Sequence, residues 1–139
     1  MPMWEKTFTS RHDPEGYFLG ASPECIHVTG YRPDELIGMS VYDLCHPEDV
    51  VPTLEGHRAL LENAAARGKS SGFNMRLRRK DGTYVWLEVE IRLERDAATG
   101  LVTGLEANST DVGHRFSAAR AASSRLAGRA ARDPAGRIE

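Results

Sequence analysis

What the sequence lacks narrows it first. No apolar run comes near the ~18 residues that a membrane-crossing helix requires, which argues against a membrane-spanning segment. The opening Met1-Pro2-Met3-Trp4-Glu5-Lys6 has no basic-then-apolar export pattern, so a cytoplasmic location is expected. There are only two cysteines, Cys25 and Cys45, and without an export signal they read as free thiols in a reducing compartment. No glycine-rich phosphate loop with a lysine, no His-Glu-x-x-His and no Gly-x-Ser-x-Gly is present. The chain is therefore expected to have no enzymatic activity of its own.

What is present is one domain's worth of ordinary globular sequence. The 139 residues are 40% apolar and 27% charged, enough to bury a core without disulfides or metal. The net charge of −2 conceals an asymmetry: from Gly113 onward six arginines stand against Asp133 and Glu139, leaving residues 1–112 acidic. An acidic body argues against a nucleic-acid-binding face, and the arginines of the tail lack the interleaved aromatics that stack on bases. The division expected is a lead-in at 1–6, a folded domain at 7–112 and a basic Ala/Arg-rich connector or disordered tail at 113–139. The tail carries a weak helical stripe of Phe116, Ala119, Leu126 and Ala130, broken at Asp133-Pro134-Ala135-Gly136.

Periodicity supplies the elements. Thr7–Ser10 and Tyr17–Ala21 read as two strands around an Arg11–Gly16 turn, in which Asp13-Pro14 opens and Gly16 closes the reversal. Ser22-Pro23 starts a short helix that ends at Gly30. Arg32-Pro33-Asp34-Glu35 starts a second that ends at Gly38, and a third piece covers Val41–Cys45. A long helix capped by Asp49 follows, ending near Gly68, with an inward stripe of Val50, Leu54, His57, Leu61 and Ala64. Three strands complete the domain. Gly72–Arg79 turns Phe73, Met75 and Leu77 to one face. Thr83–Glu94 turns Val85, Leu87, Val89, Ile91 and Leu93 inward and Tyr84, Trp86, Glu88, Glu90 and Arg92 outward; Leu101–Val112 is last. A two-residue turn at Asp81-Gly82 would set Leu77 on the face of Trp86, so the pattern predicts a longer loop with Gly82 left-handed. The result is an α+β domain: a five-stranded antiparallel sheet with short helices and one long helix on one face.

Several residues are candidates for function. The inner sheet face would present Met75, Leu77, Leu87, Val89, Leu105, Ala107 and Ser109 to His57, a lining with small side chains and two polar handles that suits a small-molecule pocket. A buried imidazole must find a partner, since an unsatisfied polar group costs about 1–3 kcal/mol. Tyr84 and Trp86 point outward, where large aromatics mark a contact surface. His46-Pro47-Glu48-Asp49 resembles a metal cluster, but proline and acids at a helix start account for it better.

Five pieces occur in an order and spacing that resemble a PAS domain: F-T-S-R-H-D-P-E-G-Y-F at 8–18, T-G-Y-R-P-D-E-L-I-G at 29–38, H-P-E-D at 46–49, R-L-R-R-K-D-G-T-Y-V-W-L-E at 76–88 and T-D-V at 110–112. The variant is similar to modules of bacterial sensor proteins and to the second PAS module of animal basic helix-loop-helix transcription factors. The resemblance implies the PAS fold and a sensory or protein-interaction role in signal transduction. The Arg/Ala-rich, Lys-poor tail fits a GC-rich bacterium, and the resemblance then implies a module of a bacterial sensor histidine kinase or related two-component regulator. It also implies docking through the outer face, on a second copy or on another signalling domain. The resemblance makes His57 a candidate haem ligand, with haem or another small ligand as the alternative to a packed core. Light-sensing relatives carry a cysteine where Val41 stands, so a flavin adduct is not supported. The signal exit would lie at Asp111 and Gly113; glycine stands where the family often has threonine, which predicts a flexible exit.

Overall fold

The computed structural model of the protein describes residues 5–62 and 72–116. The elements run β1 (Thr7–His12), β2 (Phe18–Ala21), α1 (Cys25–Thr29), α2 (Pro33–Leu36), α3 (Val41–Leu44), α4 (Pro47–Glu62), β3 (Phe73–Arg78), β4 (Tyr84–Arg95) and β5 (Val102–Asp111). The five strands form one antiparallel sheet in the order β2-β1-β5-β4-β3. The first strand thus sits between the second and the last. The α+β class and the five-stranded sheet are as the alternation implied.

The register follows the hydrophobic pattern. Met75 pairs with Leu87 and Leu77 with Val85, so apolar side chains of β3 and β4 share the inner face. This needs an odd-length connection. Arg79 N–H donates to the Thr83 carbonyl at 2.6 Å and Gly82 N–H to the Arg79 carbonyl at 2.9 Å, enclosing a three-residue loop with Gly82 at φ 91°. A side chain at Gly82 would be strained in that left-handed conformation. Phe8, Phe18, Val28, Leu36, Leu44, Met75, Leu77, Val85, Leu87, Val89 and Ala107 make the core between the sheet and the helices.

Four local readings are corrected. β1 does not stop at Ser10 but runs through Arg11 and His12, because both continue to pair with β5, against Glu106 and Leu105. The reversal is confined to 13–16, where the Asp13 carboxylate accepts from Glu15 N–H at 3.0 Å and Tyr17 N–H at 2.9 Å. Ser22 does not cap α1; its hydroxyl accepts from Thr9 N–H at 3.0 Å and ties the helical layer to β1. Asp49 does not cap α4, which starts at Pro47 with His46 Nδ1 accepting from Glu48 N–H at 3.0 Å. The inward residues of α4 are Thr53 and His57 with Val50 partly buried, while Leu54 is exposed. Ala64, the helix end near Gly68 and the tail stripe beyond Phe116 lie outside the described residues.

Candidate functional site: an interior cavity and an exit corner

The sheet's inner face and α4 leave a cavity of about 50 Å³ between them. By the measure of about 10–15 Å³ per water, it has room for roughly four water-sized groups. All eight residues assigned to the inner pocket from the sequence come together here: His57, Met75, Leu77, Leu87, Val89, Leu105, Ala107 and Ser109 line it. The fold adds Ser10, His12, Tyr42 and Thr53, polar residues that sequence reasoning did not place there. His12 was missed because Arg11–Gly16 reads as a turn. The alternation Phe8, Ser10, His12 was the available signal, and all three are buried.

The polar groups in the lining are partnered in pairs. Ser10 Oγ lies 2.8 Å from His12 Nε2, and the Tyr42 hydroxyl bonds His57 Nδ1. Cys45 Sγ is 3.9 Å from Thr53 Oγ1. Gly16 makes room for Tyr42: a Cβ at Gly16, which holds φ 96°, would lie 3.0 Å from the Tyr42 ring. One nitrogen on each imidazole, His12 Nδ1 and His57 Nε2, is buried without a well-formed hydrogen bond among the described residues. Burial is the main influence on both rings, and it disfavours their charged forms. The pKa of His12 falls to about 4, although the Gly16 backbone opposes the shift. His57 shifts in the same direction, with the Pro14 backbone opposing. Burial likewise pushes the Cys45 thiol and the Tyr42 hydroxyl up. Both rings are thus neutral near pH 7, as hydrogen-bonding partners for a neutral polar guest must be.

Haem does not fit this space. The Tyr42 bond leaves His57 Nε2 open, as a ligating imidazole would require, but room for roughly four water-sized groups is far less than a haem macrocycle occupies. Among the described residues, no group of three or more His, Cys, Asp or Glu is placed to hold a metal ion. The His46-Pro47-Glu48-Asp49 run does structural work. Asp49 accepts from Arg76 backbone N–H and Nε at 2.8 and 2.9 Å and from the terminal nitrogen at 2.8 Å. Those bonds hold the Asp49 carboxyl below its ordinary range and clamp α4 to the edge strand β3.

On the outer face, Trp86 is half-buried and stacks on Phe116, with ring centroids 4.2 Å apart and planes 11° from parallel. The Arg76 guanidinium stands 4.7 Å from the Trp86 ring centroid, and the other outward aromatic, Tyr84, lies 4.8 Å from the His46 ring. Phe116 lies in a helical turn, residues 113–116, that leaves the sheet after Val112. Glycine at 113 does not loosen it. The Asp111 carboxylate accepts from Gly113 N–H at 2.9 Å, and Val112 N–H donates to the Trp86 carbonyl at 3.0 Å. Over 113–116 the exit is therefore anchored, contrary to the flexibility expected of it. Towards the centre of the face, Thr9, Glu90, Arg92, Glu106 and Asn108 line an open groove.

Comparisons with known proteins agree with this architecture. A family model described as "PAS fold" matches residues 18–103. "Protein cycle" of Drosophila melanogaster is 34% identical over 85 residues, which are 61% of this chain and 20% of that protein. "Hypoxia-inducible factor 1-alpha" of Gallus gallus is 30% identical over 90 residues, 65% of this chain and 11% of that protein. The chain therefore spans a fifth or less of these relatives' length. Among solved structures, Drosophila Cycle PAS-B with bound ethylene glycol superposes with a TM-score of 0.67 at 32% identity. It covers 74% of this chain and 98% of that one. A PAS domain from Colwellia psychrerythraea has a TM-score of 0.68 at 20% identity, covering 78% and 87%, and is similar in fold.

Proposed function

The chain belongs to the PAS family, and from that membership we propose that it works as a non-enzymatic sensory and interaction module, docking on a partner through the outer face of its sheet. The observation that carries the reading is the open groove of Thr9, Glu90, Arg92, Glu106 and Asn108, next to a Trp86 corner already occupied by Phe116. Docking thus centres on the groove and its rim, with Tyr84 at the far side, rather than on a bare Trp86. Glu90 and Glu106 outnumber Arg92 there, which favours a partner surface rich in lysine or arginine and makes face-to-face pairing of two copies the less favoured form. The output chemistry of such a module would reside outside residues 1–139. A bacterial two-component output draws no support from Protein cycle and Hypoxia-inducible factor 1-alpha, which are animal proteins. Sedimentation at increasing concentration, with cross-linking to candidate partners, tests this. A groove absent from every cross-link, with Glu90→Arg leaving all associations unchanged, would overturn it.

A second reading concerns the cavity. His12 Nδ1 and His57 Nε2 are the unpaired polar atoms that a small hydroxylic guest could satisfy. Drosophila Cycle PAS-B is known with ethylene glycol bound, and a tryptophan-to-alanine variant of it with glycerol bound, guests of about the right size for this space. NMR titration with ethylene glycol and glycerol reads this directly. Shifts confined to His12, His57 and Ser109 support it, and an unchanged interior removes it.

A further inference from the structure

Glu5 is a carboxylate buried before the first strand, its side chain 1% exposed. A charge in that position is tolerated only if it is paired. Its partners come from the other end of the domain, 110 residues along the chain. An Arg115 terminal nitrogen donates to Oε1 at 2.8 Å; Oε2, which has no well-formed hydrogen bond among the described residues, is in ion-pair contact with Arg115 Nε at 2.7 Å and His114 Nε2 at 3.3 Å. The backbone reinforces the junction: Asp111 N–H donates to the Lys6 carbonyl at 2.7 Å, and the Thr7 and Thr110 hydroxyls lie 3.0 Å apart. Phe116, one residue beyond Arg115, is held by its stack on Trp86.

We propose that Glu5, Arg115 and the Phe116–Trp86 stack form a latch that makes the entering and leaving chain one switchable unit. Each side depends on the other. Without Arg115 the Glu5 carboxylate is buried beside a single imidazole, so the lead-in must leave to be hydrated. Without Glu5 the guanidinium loses its two-point hold and keeps a longer contact to Glu88 at 3.7 Å, so the aromatic stack and the backbone bonds carry most of the exit. Displacing the lead-in therefore frees Phe116 and uncovers the Trp86 ring, and seizing Phe116 from outside loosens the lead-in. One hydrogen bond and a second close ion-pair contact from the same guanidinium make the coupling selective for this pair of ends. It acts whatever the groove docks or the cavity holds, so it stands apart from the two readings above.

Amide exchange followed by NMR tests the latch in the full chain. The probes are the amides of Asp111 and Arg115, with Val89 in mid-sheet as the internal control. Glu5→Gln keeps the shape and removes the charge; Arg115→Gln acts at a half-exposed position, where folding is safe. Either change should speed exchange at both Asp111 and Arg115 by roughly tenfold or more, leaving Val89 at its wild-type rate. The double variant should be no faster than the faster single, since the second change has nothing left to break. Arg115→Lys should fall between, having charge without the fork. Exchange at Arg115 unchanged in Glu5→Gln, or effects that simply add in the double variant, would overturn the proposal. Should Glu5→Gln also speed Val89, Arg115→Gln alone decides, on whether Asp111 loosens with Arg115.

Discussion

The two faces of β4 are made by alternate residues of one strand, and they live under different rules. Inward, Val85, Leu87, Val89 and Leu93 are buried among apolar neighbours; outward, Glu90 and Arg92 are exposed, Trp86 stacks on Phe116 and Glu94 pairs with Arg11. On the inner face free energy comes from close packing, and polar groups survive only in pairs such as Ser10 with His12. On the outer face charges are cheap and nearly neutral for stability, except where a carboxylate is drawn under cover, as Glu5 is. Specific interaction is therefore cheapest to place outside, and sensitivity to a guest or a proton is strongest inside.

The sharpest way to break this contrast is to delete volume from the interior. Leu87→Ala, at a side chain 1% exposed, should cost about 2–5 kcal/mol in urea unfolding, whereas a cost below about 1 kcal/mol would mean a core able to collapse into its own cavity. Acid is the next largest lever. His12 titrates near 4 in the folded chain against about 6.5 when unfolded, so below 6.5 the unfolded state takes up a proton that the folded state refuses. Stability should fall as pH drops from about 6.5 and level off near 4, by roughly 3 kcal/mol in all, with His57 adding in the same direction. The difference between wild type and His12→Gln across that window isolates this contribution, and parallel curves would contradict it. Smaller still is the outer aromatic corner, where Phe116→Ala and Trp86→Ala combined in a double-mutant cycle should show a coupling of about 0.5–1.5 kcal/mol. Last, Glu90→Ala should leave stability within about 0.5 kcal/mol of wild type; a larger loss would mean that the groove is structurally committed.

The contrast also explains what could be read from the sequence. Period-two alternation over residues 73–95 fixes which side chains share a face and places four of the eight cavity residues, Met75, Leu77, Leu87 and Val89; Leu105, Ala107 and Ser109 follow from the last strand and His57 from the helical stripe. The odd-length loop at Asp81-Gly82 was legible for the same reason: an even length would turn Glu88 to the face of Leu77. Three things were not legible. His12 sits after a plausible strand end and before an Asp-Pro turn, so local chemistry argued for a loop while pairing with β5 kept it in the sheet. Asp49 looks like any helix cap, and only the position of Arg76 on the neighbouring edge strand gives it another partner. Glu5 and Arg115 meet through sheet closure, which no local pattern encodes. That is also why the exit after Val112 was read as loose.

The place of β1 in the sheet has a consequence for how the domain comes into being. Its neighbour β5 is the last strand made, with Thr7 paired to Thr110. While the chain is being synthesised, β1 has only the short β2 to lean on until nearly the whole domain has emerged. The interior cannot be sealed before then, because Phe8, Ser10 and His12 on one side and Leu105, Ala107 and Ser109 on the other are halves of the same wall. Closure across so long a loop is slow compared with forming α4 or the β3–β4 hairpin. During that interval the apolar faces of β3 and β4 stand exposed, and a nascent chain halted before residue 102 would present them to every neighbour.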